Sequence, residues 1–299
     1  MLITSEFIKG NISTVSELKK DCTFEHLGLV DTQKSNSLTF IDDINFLDEL
    51  LANKNIRGVL ISQVMVKLIS RADIQIIVSD DPRYDYYHLI NKRGEATYKK
   101  YPSNISSSAK VHERAYVSDY NVTIGDNVII EPNVTILPDV EIGSNSIIRA
   151  GAVLGSEGFE HKRTSKGVLS VWHDGKVIIG SYVEIGANTC IDKGFSTLAT
   201  SIGDYSKIDN LVHIAHGVQI GKSCFVIACS MIAGGVILKD NVWIGPNANI
   251  ANKVIIENGG YVSIGSVVTR SVTSGQHVTG NFALPHDKFL SNLKRSLKD

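Results

Sequence analysis

From residue 202 to residue 268 an aliphatic side chain returns at every sixth position. The series is Ile202, Ile208, Ile214, Ile220, Val226, Ile232, Leu238, Ile244, Ile250, Ile256, Val262 and Val268. An α-helix repeats near 3.6 residues and a strand at 2, so neither element generates this spacing. A second row runs two residues earlier: Ser206, Val212, Val218, Cys224, Ser230, Val236, Val242, Ala248, Val254, Gly260 and Ser266, all small or β-branched. A large aliphatic residue with a small neighbour at this period is the hexapeptide pattern of a triangular parallel β-helix, in which three hexapeptides close a coil of about 18 residues.

The same register recurs upstream. Ile105, Val111 and Val117 predict one coil, and Ile124, Ile130, Ile136, Ile142, Ile148 and Leu154 predict two more. With Ile179, Ile185 and Ile191 the total is 24 hexapeptides in eight coils. Two stretches break the period, GSEGFEHKRTSKGVLSVWHDGKVI (155–178) and DKGFSTLATS (192–201). Loops displaced from a rigid scaffold are where function concentrates. Cys224 falls in the small inward row, which predicts a core filler and not a reactive thiol.

Residues 1–100 carry no such period. GVLIS (58–62) and IQIIVS (74–79) read as buried strands, and DDPRYDYYHLINK (80–92) as the capped start of a helix with an aromatic face. The expected organisation is a small N-terminal α/β domain (1–100), a β-helix (101–273) and a C-terminal tail (274–299). In that tail Phe289, Leu293 and Leu297 recur every four residues, as in a short amphipathic helix. Its Lys288, Lys294, Arg295 and Lys298 outnumber Asp287 and Asp299, so the helix either caps the solenoid or meets an acidic carrier protein.

With 30 basic and 31 acidic residues the net charge is −1, which supplies no global field for nucleic acid. No run of 18 apolar residues occurs, so no membrane span is expected. The first ten residues lack the apolar core of a signal peptide. Cys22, Cys190, Cys224 and Cys229 have no CxxC spacing, so neither a disulfide framework nor a cysteine metal site is expected. These features together predict a reduced, cytoplasmic protein.

Because Val212 and Ile214 point inward, His213 and His216 point outward. Stacked coils place residue i below residue i+18, about 4.8 Å away. Above His216 stands Gly234, inside Ala-Gly-Gly (233–235). A glycine beside an imidazole leaves a notch where a substrate approaches a base and a backbone N–H donor, the pairing that acyl transfer requires. A metal site is not expected, because positions 231, 234, 249 and 252 in the coils above are Met, Gly, Asn and Asn.

Three motifs extend this reading. GSEGF (155–159), EIGANTCIDKG (184–194) and IDNLVHIAH (208–216) together resemble the UDP-3-O-(3-hydroxyacyl)glucosamine N-acyltransferases of lipid A synthesis. The resemblance implies a left-handed β-helix with a small N-terminal α/β domain and a short C-terminal helix, assembled as a homotrimer. It implies His216 as general base, with Gly234 as oxyanion donor. It places Asp192 and Phe159 at the substrate, and Phe40 and Phe46 of LTFIDDINF (38–46) against the uracil of a nucleotide-linked amino sugar. His-Ile-Ala-His is similar to the related UDP-N-acetylglucosamine O-acyltransferases, which implies a substrate-binding role for His213. Gly235, Asn252, Asn281 and Ala283 are the residues expected beside the pantetheine donor, and no tightly bound cofactor is implied.

The chain departs from that family at two places. Lys253 stands where the family has a second histidine, and the C-terminal extension is shorter. WIGPNANI (243–250) and the segment 264–283 resemble acyl-CoA-dependent sugar acyltransferases. The expectation is therefore an N-acyltransferase that uses acyl-CoA on an O-antigen or capsule amino sugar. The alternatives are the lipid A enzyme working with acyl carrier protein, and a non-catalytic scaffold or sugar-nucleotide-binding protein.

Overall fold

All twelve aliphatic positions from Ile202 to Val268 are buried, none more than 7% exposed. The small row is buried beside them, from Ser206 to Ser266. The computed structural model describes residues 1–12, 22–195, 198–280 and 283–296. These fall into two units, the first comprising residues 1–102, 157–176 and 193–199 and the second the remainder.

The second unit is the solenoid. Its short strands form three parallel sheets of eight, nine and eight strands, one on each face of the triangle. Ile214 lies between Ile191 and Ile232 in adjacent coils, so each inward aliphatic residue stacks on its equivalents and the core is continuous. Cys224 fills the inward row as expected, its thiol donating to the Lys239 carbonyl at 3.0 Å. Burial pushes that thiol upward. Ile105 (42% exposed) and Val111 (38%) are strand residues as expected but are not enclosed, because they lie on the terminal strands of two sheets.

A third row of six has no hydrophobic signature. Tyr205, Leu211, Gly217, Ser223, Cys229, Gly235, Asn241, Asn247, Lys253, Gly259 and Gly265 all adopt φ between 55° and 70°. Each corner of the coil needs one left-handed residue, and any side chain other than glycine adopts that conformation at a cost of about 1–2 kcal/mol. Strand pairing also continues beyond Val268: Tyr261 pairs with His277 and Val262 with Val278. The offset there is 16 and not 18, so the six-residue series misses it.

The first unit holds a four-stranded parallel sheet of His26–Leu27, Ser37–Ile41, Ile56–Ile61 and Gln75–Val78, paired in chain order. Helices α1 (Ser5–Asn11), α2 (Leu47–Ala52) and α3 (Pro82–Thr97) accompany it. Asp81 caps α3 by accepting the Tyr84 N–H at 2.8 Å. The first interruption of the six-residue period, expected as a loop of the solenoid, groups with this unit instead. It forms an antiparallel hairpin, His161–Thr164 with Gly167–Ser170. Asn91 holds it to α3, donating to the Ser170 carbonyl at 2.8 Å and accepting the Trp172 N–H at 2.7 Å. Gly94 of α3 is required there, since a Cβ would stand 2.9 Å from Trp172 Cδ1. Near the C-terminus, α4 (His286–Ser296) carries Phe289, Leu290 and Leu293 exposed. Leu297 and Lys298 lie outside the described residues.

Candidate active site

His216 follows the strand His213–Ile214 at a corner of the coil whose backbone is held on both sides. Its carbonyl accepts the Gly235 N–H at 3.0 Å. The next residue, Gly217, donates its N–H to the buried Thr200 Oγ1 at 2.9 Å. The imidazole is half-buried and lies against Gly234: a Cβ there would stand 2.8 Å from His216 Cε1 and 2.9 Å from Nε2. Any side chain at 234 would occupy the space next to the ring. Among the described residues the Gly234 N–H makes no backbone hydrogen bond, whereas its carbonyl accepts from Lys253 at 3.1 Å. The imidazole thus borders the space over Gly234 that a side chain there would fill.

His213 lies on the same coil, 46% exposed in its side chain, with Nε2 3.7 Å from Asp192 Oδ2. Asp192 is buried, and its Oδ1 accepts the Ser156 hydroxyl at 2.6 Å. Cys190 completes this group, Sγ lying 3.8 Å from Asp192 Oδ1 and 3.4 Å from Ser156 Oγ. Burial pushes the Cys190 thiol up, partly offset by the Ser156 hydrogen bond. The expectation that His213 has no metal-capable neighbours was drawn from the coils above. The coil below overturns it, because Cys190 pairs directly with His213.

Phe40, Phe46 and Phe159 belong to the first unit. Phe40 packs among aromatic core residues, its ring centroid 4.8 Å from Tyr86 and 5.6 Å from Tyr87. Phe46 is 46% exposed and Phe159 88% exposed, so both present free ring surface. Gly235 occupies one of the left-handed corners, with φ of 70°, which gives it a backbone role whatever it contacts. Asn252 is exposed in the next corner up, and Ala283 is exposed ahead of α4. Asn281 lies outside the described residues.

One feature of the second unit was missed by the sequence reading. A concavity of about 490 Å³ is lined by Glu131, Arg149, Glu184, Lys207, Asp209 and Asn210 among others. Arg149 bridges Glu131 and Glu184 across three strands, at 2.7 Å and 2.5 Å. Its guanidinium holds the Glu131 carboxyl below the usual range. The charges alternate outward on consecutive coils, which looks like ordinary surface in the linear chain.

Residues 121–156 match the model of the bacterial transferase hexapeptide (six repeats). A UDP-3-O-acylglucosamine N-acyltransferase from Campylobacter curvus is 30% identical over 262 residues, covering 81% of this chain and 82% of that protein. The chain belongs to the UDP-3-O-acylglucosamine N-acyltransferase family. A member from Caulobacter sp. is 38% identical over 149 residues, 50% of this chain, and that match spans only 44% of the relative's length. Among solved structures, the UDP-N-acetylglucosamine acyltransferase from Campylobacter jejuni superposes with a TM-score of 0.50 at 24% identity, over 66% of this chain and 81% of that one. That similarity is of fold, and it agrees with the left-handed β-helix. No helix among the described residues is long and apolar enough to cross a membrane.

Proposed function

We propose that this chain is an N-acyltransferase that moves a 3-hydroxyacyl group from a pantetheine thioester to the amine of UDP-3-O-acylglucosamine. The observation that carries the reading is the contact of the His216 ring with Gly234, where a Cβ would lie 2.8 Å from the imidazole. In the reaction the neutral sugar amine attacks the thioester carbonyl while His216 accepts its proton. The Gly234 N–H donates to the oxyanion of the tetrahedral intermediate. The intermediate collapses by breaking the carbon–sulfur bond, and the proton on His216 passes to the departing thiolate. The products are an amide and a free pantetheine thiol.

Substrate contacts are assigned on accessibility. The exposed ring of Phe46 suits stacking on uracil, and the exposed Phe159 suits the same substrate, whereas Phe40 is a packing residue. His213 orients the sugar, with Asp192 behind it. The family membership favours the lipid A acceptor over an O-antigen or capsule sugar, so the acyl-CoA preference drawn from residues 264–283 gives way to acyl carrier protein as donor. The exposed Lys288, Lys294 and Arg295 of α4 suit an acidic carrier. The assembly proposed is a homotrimer working in the cytoplasm.

The test is to incubate the purified chain with UDP-3-O-acylglucosamine and either 3-hydroxyacyl carrier protein or 3-hydroxyacyl-CoA, and to weigh the products by mass spectrometry. An N-acylated sugar nucleotide supports the reading. No acylated product from either donor would make the chain a non-catalytic binding protein and end it.

A further inference from the structure

Outward side chains on the third face of the solenoid bring three different metal donors together. Cys190 and His213 are cross-strand partners on adjacent parallel strands. Asp192 follows Cys190 by two residues and therefore returns to the same face of the strand. One ligand atom from each lies within 4.8 Å of the others. His213 Nε2 to Asp192 Oδ2 is 3.7 Å and Cys190 Sγ to Asp192 Oδ1 is 3.8 Å. The first distance is too long for a hydrogen bond. It is close to the edge of a tetrahedron whose arms are about 2.0–2.3 Å long, and the Cys190 sulfur stands on the other side of the same carboxylate.

We propose that Cys190, Asp192 and His213 form a binding site for a single divalent transition-metal ion of the zinc class. The donor set of thiolate, imidazole and carboxylate suits a borderline-soft ion, whereas calcium and magnesium favour shells of oxygen. Three protein ligands leave the fourth position open to water or another small ligand. Ser156 donates to Asp192 Oδ1 at 2.6 Å. It thereby turns Oδ2 toward His213, as hydrogen bonds to ligating carboxylates commonly do. The Asp192 side chain is 7% exposed and fixed, while His213 at 46% exposure leaves an approach from solvent. On binding, the Cys190 thiol exchanges its proton for a sulfur–metal bond and the proton leaves to solvent.

The site shares His213 and Asp192 with the substrate contacts proposed above, so its test reads the metal and not turnover, and either reading can fail without the other. The full chain, stripped with chelator and kept reduced, is titrated with Co²⁺ without oxygen and then with Zn²⁺. One Co²⁺ per chain is expected, with a thiolate-to-cobalt charge-transfer band that Zn²⁺ abolishes. Cys190→Ser should eliminate that band at an unchanged melting temperature. Ser156→Ala should weaken Co²⁺ binding by about 10–100-fold. Cys229→Ser, altering an exposed thiol at a left-handed corner, should leave the band intact. The proposal is overturned if no thiolate band appears, if it survives Cys190→Ser, if Cys229→Ser removes it, or if Mg²⁺ competes as well as Zn²⁺.

Discussion

The main chain at His216 is held by hydrogen bonds of its own carbonyl and of the Gly217 N–H, and its side chain lies outside the hydrophobic core. His216→Ala should therefore leave the melting temperature near that of the parent while lowering the acyl-transfer rate by about 10²–10⁴-fold. A rate within tenfold of the parent in the mass-detected assay would remove His216 as the base. The adjacent glycines separate chemistry from conformation. Gly235 has φ of 70°, whereas Gly234 does not adopt a left-handed conformation. Gly235→Ala is expected to lose about 1–2 kcal/mol of stability through backbone strain. Gly234→Ala is expected to fold well and to lose kcat, because the new methyl displaces the His216 ring by its contact at 2.8 Å. Denaturant melts and initial rates on both variants distinguish the two; a Gly234→Ala enzyme with full kcat would mean the notch is not used.

The elements of the two units answer to different physics. A solenoid strand of two residues has little stability of its own and persists because its aliphatic side chain stacks between those of neighbouring coils. Ile232, fully buried between Ile214 and Ile250, should cost about 2–5 kcal/mol on truncation to alanine, read by denaturant unfolding. Helix α3 depends on its cap. Burial by itself would raise the Asp81 carboxyl, but hydrogen bonds from Ser165 and Tyr84, with the charge of Lys166, hold it below its ordinary value. A carboxyl lowered by folding contributes stability above its unfolded value, near 3.9, and that contribution is lost as pH falls through the folded value. Asp81→Ala should thus cost about 1 kcal/mol at neutral pH, with the gap to the parent narrowing below about pH 4. A gap constant from pH 7 to pH 3 would count against this account.

At the scale of the whole molecule charge bears on the donor. The chain is nearly neutral, so recognition of an acidic carrier protein requires a local basic surface, and α4 supplies exposed Lys288, Lys294 and Arg295. Deleting residues 286–299 should raise KM for 3-hydroxyacyl carrier protein and flatten its dependence on salt, with kcat little changed. The same deletion should not alter whatever rate is seen with acyl-CoA. If the truncated and full chains respond alike to carrier protein at low salt, α4 is a cap and not a docking element. Sedimentation should return the mass of three chains; a monomer retaining full activity would separate this chain from the assembly proposed for it.

The period of six is visible in the linear chain because each inward position is set by a local demand, one aliphatic side chain per face, repeated without reference to anything distant. Adding 18 to His216 finds Gly234 for the same reason, as the coils there are uninterrupted. The arithmetic fails wherever a coil carries extra or missing residues. Cys190 stands beneath His213 at an offset of 23 and His277 above Tyr261 at 16, since lateral pairing fixes the spacing of strands and not the length of chain between them. The left-handed corners went unread because Asn, Gly, Tyr, Leu, Ser, Cys and Lys all serve there, and backbone conformation leaves no hydropathy signal. The assignment of the 157–176 hairpin to the first unit, and the meeting of Cys190, Asp192 and His213, were decided only by tertiary packing: neither follows from any property the residues have singly.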